Sequence, residues 1–228
     1  TALNAGYAVS HVIVSAQNGV RFNRMDSIFG EVSRQIEVDD SGIRGVGTLF
    51  NALDNVQPAS LDAKAKLIRS SISLSGRWTY SEFLKSPGIQ IALRAWNIRG
   101  AEVHDLIEDW LSNPYNFRGQ RKLLHKELVA VIADRFSEVP SEWKFYADEA
   151  LVFHTGGHRQ AWDALADYDV IAKAAGFRGL VLLFDEFEDV IQGLIRRDYQ
   201  EQAYLNLFQF FGGQMFPGMA YFAVTPDF

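Results

Sequence analysis

Two adjacent carboxylates follow a short apolar run in the last quarter of the sequence. Leu180–Phe184 is a run of five apolar residues that Gly179 precedes and that Asp185 and Glu186 follow. A run of this length and composition predicts a buried parallel strand, because such strands are apolar on both faces. The strand would deliver both acids to the carboxyl edge of a sheet, where α/β proteins bind their ligands.

An acid pair at this position can serve phosphoryl transfer. We expect Asp185 to hold Mg²⁺, through the metal's water shell, so that the metal neutralises charge on nucleotide phosphates. Glu186 would orient the attacking water and help to deprotonate it. Thr225 ends the next apolar segment, Met219–Val224, and could direct its hydroxyl at the γ-phosphate or at the same water.

The alternative is that the two acids begin a solvated loop. Glu188 and Asp189 continue the acidic run, and an apolar run followed by Asp-Glu also arises by chance. The phosphate-cradling half of the site is missing, because the 18 glycines form no G-x-x-x-x-G-K-[ST] motif. Gly42–Gly47 is rich in glycine but lacks a lysine and a preceding strand, so it is not a phosphate loop. We therefore expect a chain that cannot hydrolyse nucleotide alone.

The segments around the carboxylates predict a small α/β sheet. Ala8–Ser15 is expected to form a strand, and Met219–Val224 a second buried strand beside Leu180–Phe184. Between them Tyr199–Phe211 is expected to form a helix, and strand, helix and strand at this spacing make a βαβ unit. The apolar side of that helix carries Tyr204, Leu205, Leu207, Phe208 and Phe211.

The long middle of the chain has a helical pattern. The predicted helices include Met25–Gln35, Ser60–Arg69, Ile89–Asn97, Glu102–Leu111, Gln120–Ala133 and Ala161–Ala175. About 150 residues are far too many for a simple crossover between strands. The prediction is therefore an α/β core of about three parallel strands, formed by residues 1–23 and 175–228, with a large all-helical insertion at 24–174.

Three segments of the sequence resemble parts of a known family. Ala175–Glu188 resembles the Walker B region of a bacterial P-loop ATPase family that includes the BREX phage-defence ATP-binding protein BrxD. Pro217–Phe228 looks like that family's strand with a Thr-Pro-x-Phe sensor loop, and Ala2–Ser15 looks like the end of its P-loop helix and the strand after it. The resemblance implies a partial, AAA-like P-loop NTPase of the additional-strand type. It also implies antiviral defence alongside other defence-system proteins, with ATP and Mg²⁺ bound in the full-length parent and no cofactor held tightly by this chain.

Both ends of the sequence look cut. Thr1–Tyr7 is expected to form the last turns of a helix that Gly6 ends. The other end stops at Phe228, just beyond a predicted strand. We therefore expect a fragment of a longer protein, with the phosphate loop upstream of Thr1.

Composition narrows the classes of partner. The net charge of −6 argues against a nucleic-acid footprint over the whole surface. A local phosphate-binding patch at Arg118, Arg121, Lys122 and Lys126 stays open, with the solvated face of a helix as its alternative. The absence of cysteine excludes disulfides and thiolate metal sites and fits the cytoplasm. The longest apolar run is far shorter than the ~20 residues that span a membrane, so no membrane partner is expected.

Basic side chains elsewhere give weaker candidates. His154 and His158 are four residues apart, but the two glycines between them disfavour a helix, and a metal site needs further ligands. Arg196 or Arg197 could act as an arginine finger, with a surface pair before Asp198 as the alternative. The remaining histidines lack a partner motif and are assigned to packing or to the surface: His11, His104 and His125.

A second function class remains open beside the ATPase. In this alternative the chain is a non-catalytic module that docks a protein or nucleic acid through its helical insertion, on a degenerate ATPase scaffold. The strand Met219–Val224 is predicted to leave an exposed sheet edge, and such an edge invites pairing with another chain. The sequence therefore predicts self-association through this edge.

Overall fold

The computed structural model describes residues 1–14, 20–56, 84–96, 101–112, 158–188, 194 and 196–224. These residues form a mixed α/β structure around a four-stranded sheet. The elements in chain order are β1 (Ala8–Ile13), α1 (Met25–Gln35), β2 (Ile36–Glu37), α2 (Val46–Asp54), α3 (Pro87–Trp96), α4 (Ala101–Ser112), α5 (His158–Ala174), β3 (Leu180–Asp185), α6 (Arg197–Phe211) and β4 (Met219–Phe222).

Three strands of the sheet are parallel, as predicted. The spatial order is β2-β1-β3-β4, and β3 pairs in parallel with β1 on one side and with β4 on the other. The register places Ile13 opposite Asp185 and Phe184 opposite Phe222. The fourth strand, β2, was not predicted, and it pairs antiparallel with β1. Its two residues are too few for any hydrophobic period to show in the sequence.

One face of the sheet packs against helices. The Ser10 hydroxyl in β1 donates a hydrogen bond to the carbonyl of Val32 in α1 (3.1 Å), which places α1 on this face. Because side chains alternate along a strand, the even-numbered residues of β1 and β3 share this face. All of them are fully buried: Ala8, Ser10, Val12, Leu180, Leu182 and Phe184.

The opposite face opens toward the carboxyl ends of the strands. Val9 and Val181, near the amino ends, are 8% and 2% exposed. Farther along, Ile13 is 40% exposed and Tyr221 is 56% exposed. The exposed part of this face is therefore the part where Asp185 ends β3.

Helix α5 is fixed to α1 and to the start of β3 by buried polar groups. The Tyr168 hydroxyl lies 2.8 Å from the Ser33 hydroxyl of α1. The Asp169 carboxylate accepts hydrogen bonds from the backbone N–H of Leu180 (2.9 Å) and from Nζ of Lys173 (2.6 Å). A Cβ at Gly179 would lie 2.8 Å from Asp169 Oδ1, so the glycine that precedes β3 permits this close approach.

A second carboxylate of α5 binds the segment before α3. Asp167 is 1% exposed and accepts hydrogen bonds from the backbone N–H groups of Lys85 (2.8 Å) and Ser86 (2.7 Å). Burial raises the pKa of Asp167 to about 7, although both hydrogen bonds act in the opposite direction. Asp163 also raises this pKa, and Lys85 lowers it. Asp167 therefore connects α5 to the segment before α3, although burial disfavours its charged form.

Helix α6 forms where it was predicted, but most of the side that the sequence identifies as apolar is exposed. The buried residues are Ala203, Asn206 and Phe210, and the Asn206 amide donates to the carbonyl of Phe22 (2.8 Å). Four of the five residues on that side are exposed: Tyr204, Leu205, Phe208 and Phe211. The helix is apolar over more than one side, so its period did not identify the buried side.

Other predicted helices match the structure closely. Met25–Gln35 coincides with α1, Glu102–Leu111 lies within α4, and Ala161–Ala175 coincides with α5 apart from its ends. Thr1–Tyr7 forms hydrogen-bonded turns rather than a helix. The predicted helices Ser60–Arg69 and Gln120–Ala133 lie outside the described residues, and the domain boundaries at 23/24 and 174/175 stay predictions.

Candidate functional site

Asp185 lies at the carboxyl end of β3, between two parallel neighbours. Its backbone carbonyl accepts a hydrogen bond from the N–H of Val14, just beyond β1 (2.9 Å). Its side chain is 49% exposed. Oδ1 accepts a hydrogen bond from the backbone N–H of Glu186 (3.0 Å), and Oδ2 lies 3.3 Å from Nε2 of His11. The carboxylate is thus held at the sheet edge while half of it remains open to solvent.

Glu186 occupies a sharp turn directly after the strand. Its φ is +55°, in the left-handed region that non-glycine residues adopt at a cost of roughly 1–2 kcal/mol. The turn is fixed on both sides, because Phe187 N–H donates to the carbonyl of Ala223 (3.2 Å) and Ala223 N–H donates to that of Phe184 (2.8 Å). Phe187 is buried, whereas Glu186 is exposed. The turn therefore presents the Glu186 side chain to solvent beside Asp185.

The end of β4 lies next to this turn. The two hydrogen bonds of Ala223 bring the chain after β4 against Phe184 and Phe187. Thr225, the predicted sensor, lies two residues farther on and is outside the described residues. The structure therefore brings together Asp185 and Glu186 and leaves the position of Thr225 a prediction.

His11 is a residue of this site that the sequence did not identify. It was assigned to packing or to the surface, yet its ring lies beside Asp185 and its side chain is 42% exposed. The two residues are 174 positions apart in the sequence. The signal that could have found it is the register, because parallel strands that end at the same edge place His11 on the same face as Leu183 and Asp185.

The two arginines before and at the start of α6 bind acids near them in the sequence. Arg196 pairs with Asp198 (2.6 Å), and its guanidinium stacks 4.4 Å from the centre of the Tyr199 ring. Arg197 pairs with Glu201 (3.1 Å). Both arginines are exposed. These contacts agree with the surface pair that was the alternative to an arginine finger.

The glycine-rich turn at residues 42–47 is occupied by a carboxylate of the same chain. A Cβ at Gly47 would overlap Oε1 of Glu108 from α4, so glycine lets this acid reach the start of α2. Burial raises the pKa of Glu108, and a hydrogen bond from the Gly47 N–H lowers it. Helix N-termini attract anions, and here Glu108 takes that place. This agrees with the prediction that the turn is not a phosphate loop.

Clustered metal ligands are absent from the part of the chain that the structure describes. There, no group of three or more His, Asp or Glu side chains could hold a metal ion. His158 begins α5, whereas His154 lies outside the described residues. A divalent ion at the sheet edge would therefore need most of its ligands from water and from a bound substrate.

Comparisons with protein-family models, with curated proteins and with solved structures give no match for this chain. The fold and the site define a mixed α/β protein with an acid pair at the carboxyl edge of its parallel strands. Among the helices in the described ranges, none has the length and apolar character needed to cross a membrane.

Proposed function

We propose that this chain carries the Walker B and sensor strands of a cytoplasmic bacterial P-loop ATPase of the additional-strand type. The observation that carries the proposal is the position of Asp185 and Glu186 at the carboxyl end of β3, with a parallel strand on each side. Ligands of open α/β sheets bind at this edge. The role in phage defence rests on the sequence resemblance of Ala175–Glu188 and Pro217–Phe228.

Asp185 is proposed as the residue that binds Mg²⁺ through water. The fit is good in two respects, because the carboxylate is half exposed and its Oδ2 has only a long contact to His11. Mg²⁺ usually takes one or two carboxylates together with waters and substrate phosphates, so a cluster of protein ligands is not required. When bound, the metal would neutralise charge on the β- and γ-phosphates of ATP.

Glu186 is proposed as the general base for the attacking water. The strained turn holds its carboxylate in solvent beside Asp185 rather than against the core. Strained φ values cluster at functional sites, and this one is fixed by the two hydrogen bonds of Ala223. Thr225, which directly follows Val224, is proposed to sense the γ-phosphate or the same water.

His11 is proposed as a positioning residue. In the tautomer that carries its proton on Nε2, it donates to Oδ2 of Asp185 and fixes the rotamer of that side chain. The opposite oxygen is held by the Glu186 N–H. One contact from β1 and one from the turn after β3 thus orient the carboxylate before any ligand arrives.

The test is Mg²⁺-dependent ATP hydrolysis by a longer form of the protein that includes the chain before Thr1. We expect Glu186→Gln to lower turnover at least 100-fold while ATP binding is kept, because a general base contributes 10²–10⁴-fold. Glu201→Gln is the matched control, since Glu201 is an exposed acid of α6. Unchanged turnover in Glu186→Gln, or a parent sequence without a phosphate loop, would contradict the proposal.

The second candidate function is a non-catalytic interaction module. The observation that favours it is the exposed apolar side of α6, which carries Phe208 and Phe211 at 65% and 68% exposure. Large apolar exposure of this kind marks interaction sites. The two candidates are separated by the Glu186→Gln experiment, since a module without catalysis gives no turnover in any variant.

A further inference from the structure

The open edge of β4 and the side of α6 next to it form one continuous surface. We propose that this surface, the edge surface, pairs with the same surface of a second copy of the chain to give a two-fold dimer. The edge surface consists of the outward backbone groups of β4, the side chains of Tyr204, Phe208 and Phe211 from α6, and those of Tyr221 and Val224 at the edge itself. Tyr221 lies on the face of the sheet opposite to α6. This inference deepens the second candidate function and rests on it, because in an ATPase of the additional-strand type the strand before the phosphate loop would lie beside β4.

In the part of the chain that the structure describes, the backbone of β4 makes no hydrogen bond on the side away from β3. Ala223 directs both its N–H and its C=O toward the neighbouring chain, to Phe184 and Phe187. Since successive residues of a strand alternate in direction, Ala220, Phe222 and Val224 direct their N–H and C=O groups to the open edge. Within the residues that the structure describes, β4 is the last strand of the sheet on that side. An edge of this kind is a template for another strand.

The exposed side of α6 lies on the same side as that edge. The ring of Phe211 is 5.6 Å from the ring of Phe222 in β4, so this side of the helix extends over the last strand. Tyr204 and Phe208 share it, since residues four and seven apart lie on one side of a helix. On the opposite side of α6, Gln202 and Gln209 flank Leu205, which is 55% exposed.

A second copy fits this surface because each part of it is complementary to itself. A two-fold axis normal to the sheet makes β4 antiparallel to its copy and keeps both α6 helices on the same side of the joined sheet. The apolar sides of the two helices then face each other across the axis. Charge does not oppose the contact, since residues 202–226 contain no Asp, Glu, Lys, Arg or His, although 22% of the chain is charged.

The area is close to what a stable dimer requires. The five side chains of the edge surface expose 42–68% of their area. With about 150–250 Å² for each aromatic residue, this amounts to roughly 500–600 Å² of apolar surface per copy. A standard interface buries about 800 Å² per partner, and the paired strand backbones contribute to the difference.

The test is the molar mass of the purified chain by sedimentation velocity and light scattering, from about 1 to about 100 μM. We expect a dimer that dissociates on dilution. Phe208→Lys should raise its dissociation constant at least ~30-fold, because a charge is placed in the centre of the contact on both copies. Phe208 is 65% exposed, so this change should leave the melting temperature of the monomer unaltered. Gln209→Lys is the matched control, with the same new charge on the opposite side of α6, and should dimerise like the wild type.

A second variant tests the strand contact. Ala220→Pro removes an N–H that faces the open edge and leaves the hydrogen bonds to β3 in place, so it should also weaken the dimer at least ~10-fold. A monomeric wild type, open-ended growth in mass, equal effects of Phe208→Lys and Gln209→Lys, or a dimer unaffected by Ala220→Pro would each overturn the proposal.

Discussion

The aspartates of α5 and the aspartate at the end of β3 differ in almost every physical respect. The side chain of Asp169 is 1% exposed and that of Asp185 is 49% exposed. Asp169 and Asp167 each accept two hydrogen bonds from groups that fix the start of β3 or the segment before α3. Asp185 has one bond to the next residue and a long contact to His11. Acids of the first kind maintain the fold, whereas an acid of the second kind is free to bind something else.

The largest expected effect concerns the ionisation of Asp167. Because burial raises its folded-state pKa to about 7, above the ordinary value of 3.8, the protonated acid is favoured in the folded protein. The contribution to stability is present below about pH 4 and is lost as the pH rises through 7. Three pH units correspond to a loss on the order of 4 kcal/mol. The free energy of unfolding, measured in urea at pH 4–8, should fall with rising pH in the wild type and fall less steeply in Asp167→Asn.

Asp167→Asn is informative because its amide keeps one acceptor for Lys85 or Ser86 and cannot titrate. The variant is expected to be less stable than the wild type at pH 4. Its amide NH2 is a hydrogen-bond donor and would face a second donor, one of the two backbone N–H groups. Glu108 and Asp163 also have raised pKa values, so both contribute to the pH dependence of stability in the wild type and in the variant. Parallel curves for the two proteins would mean that Asp167 does not carry the pH dependence.

The next effect compares the two kinds of aspartate directly. Asp169→Ala leaves the buried N–H of Leu180 without an acceptor and should lower the free energy of unfolding by about 3 kcal/mol. Asp185→Ala removes a half-exposed acid and should cost less than ~1 kcal/mol. Urea unfolding at pH 7, followed by circular dichroism, measures both. Equal losses would remove the distinction between structural and functional acids on which the proposed site depends.

These differences also show what the sequence can predict. The apolar run before Asp185 is local, so β3 and the position of its two acids followed from composition and period. The contact between His11 and Asp185 could not be predicted in this way, because it depends on the register of two strands that are far apart in the chain. The roles of Asp167 and Asp169 were missed for a related reason. An acid in an amphipathic helix has the pattern of a solvated residue, and its burial depends on which backbone N–H groups approach it.

The buried side of α6 could not be identified from the sequence for the opposite reason, because the helix has apolar residues on more than one side. Phe208 and Phe211 fit a helical period as well as Phe210 does, and only the packing of Phe210 against Phe184 shows which is inward. The exposed aromatic residues of this helix belong to the surface that we propose a second copy covers. A hydrophobic pattern identifies residues that avoid water, and it does not say whether their own chain or another covers them.

The smallest expected effect is the coupling between His11 and Asp185. In a double-mutant cycle with His11→Ala and Asp185→Asn, we expect a coupling free energy below ~1 kcal/mol, because both side chains are nearly half exposed and solvent screens the pair. The measurement is the free energy of urea unfolding of the four proteins at pH 7. The contact would then orient the carboxylate without contributing much to the fold, as a positioning role requires. A coupling above ~2 kcal/mol would place Asp185 with Asp169 among the structural acids, and the sheet edge would lose its candidate metal ligand.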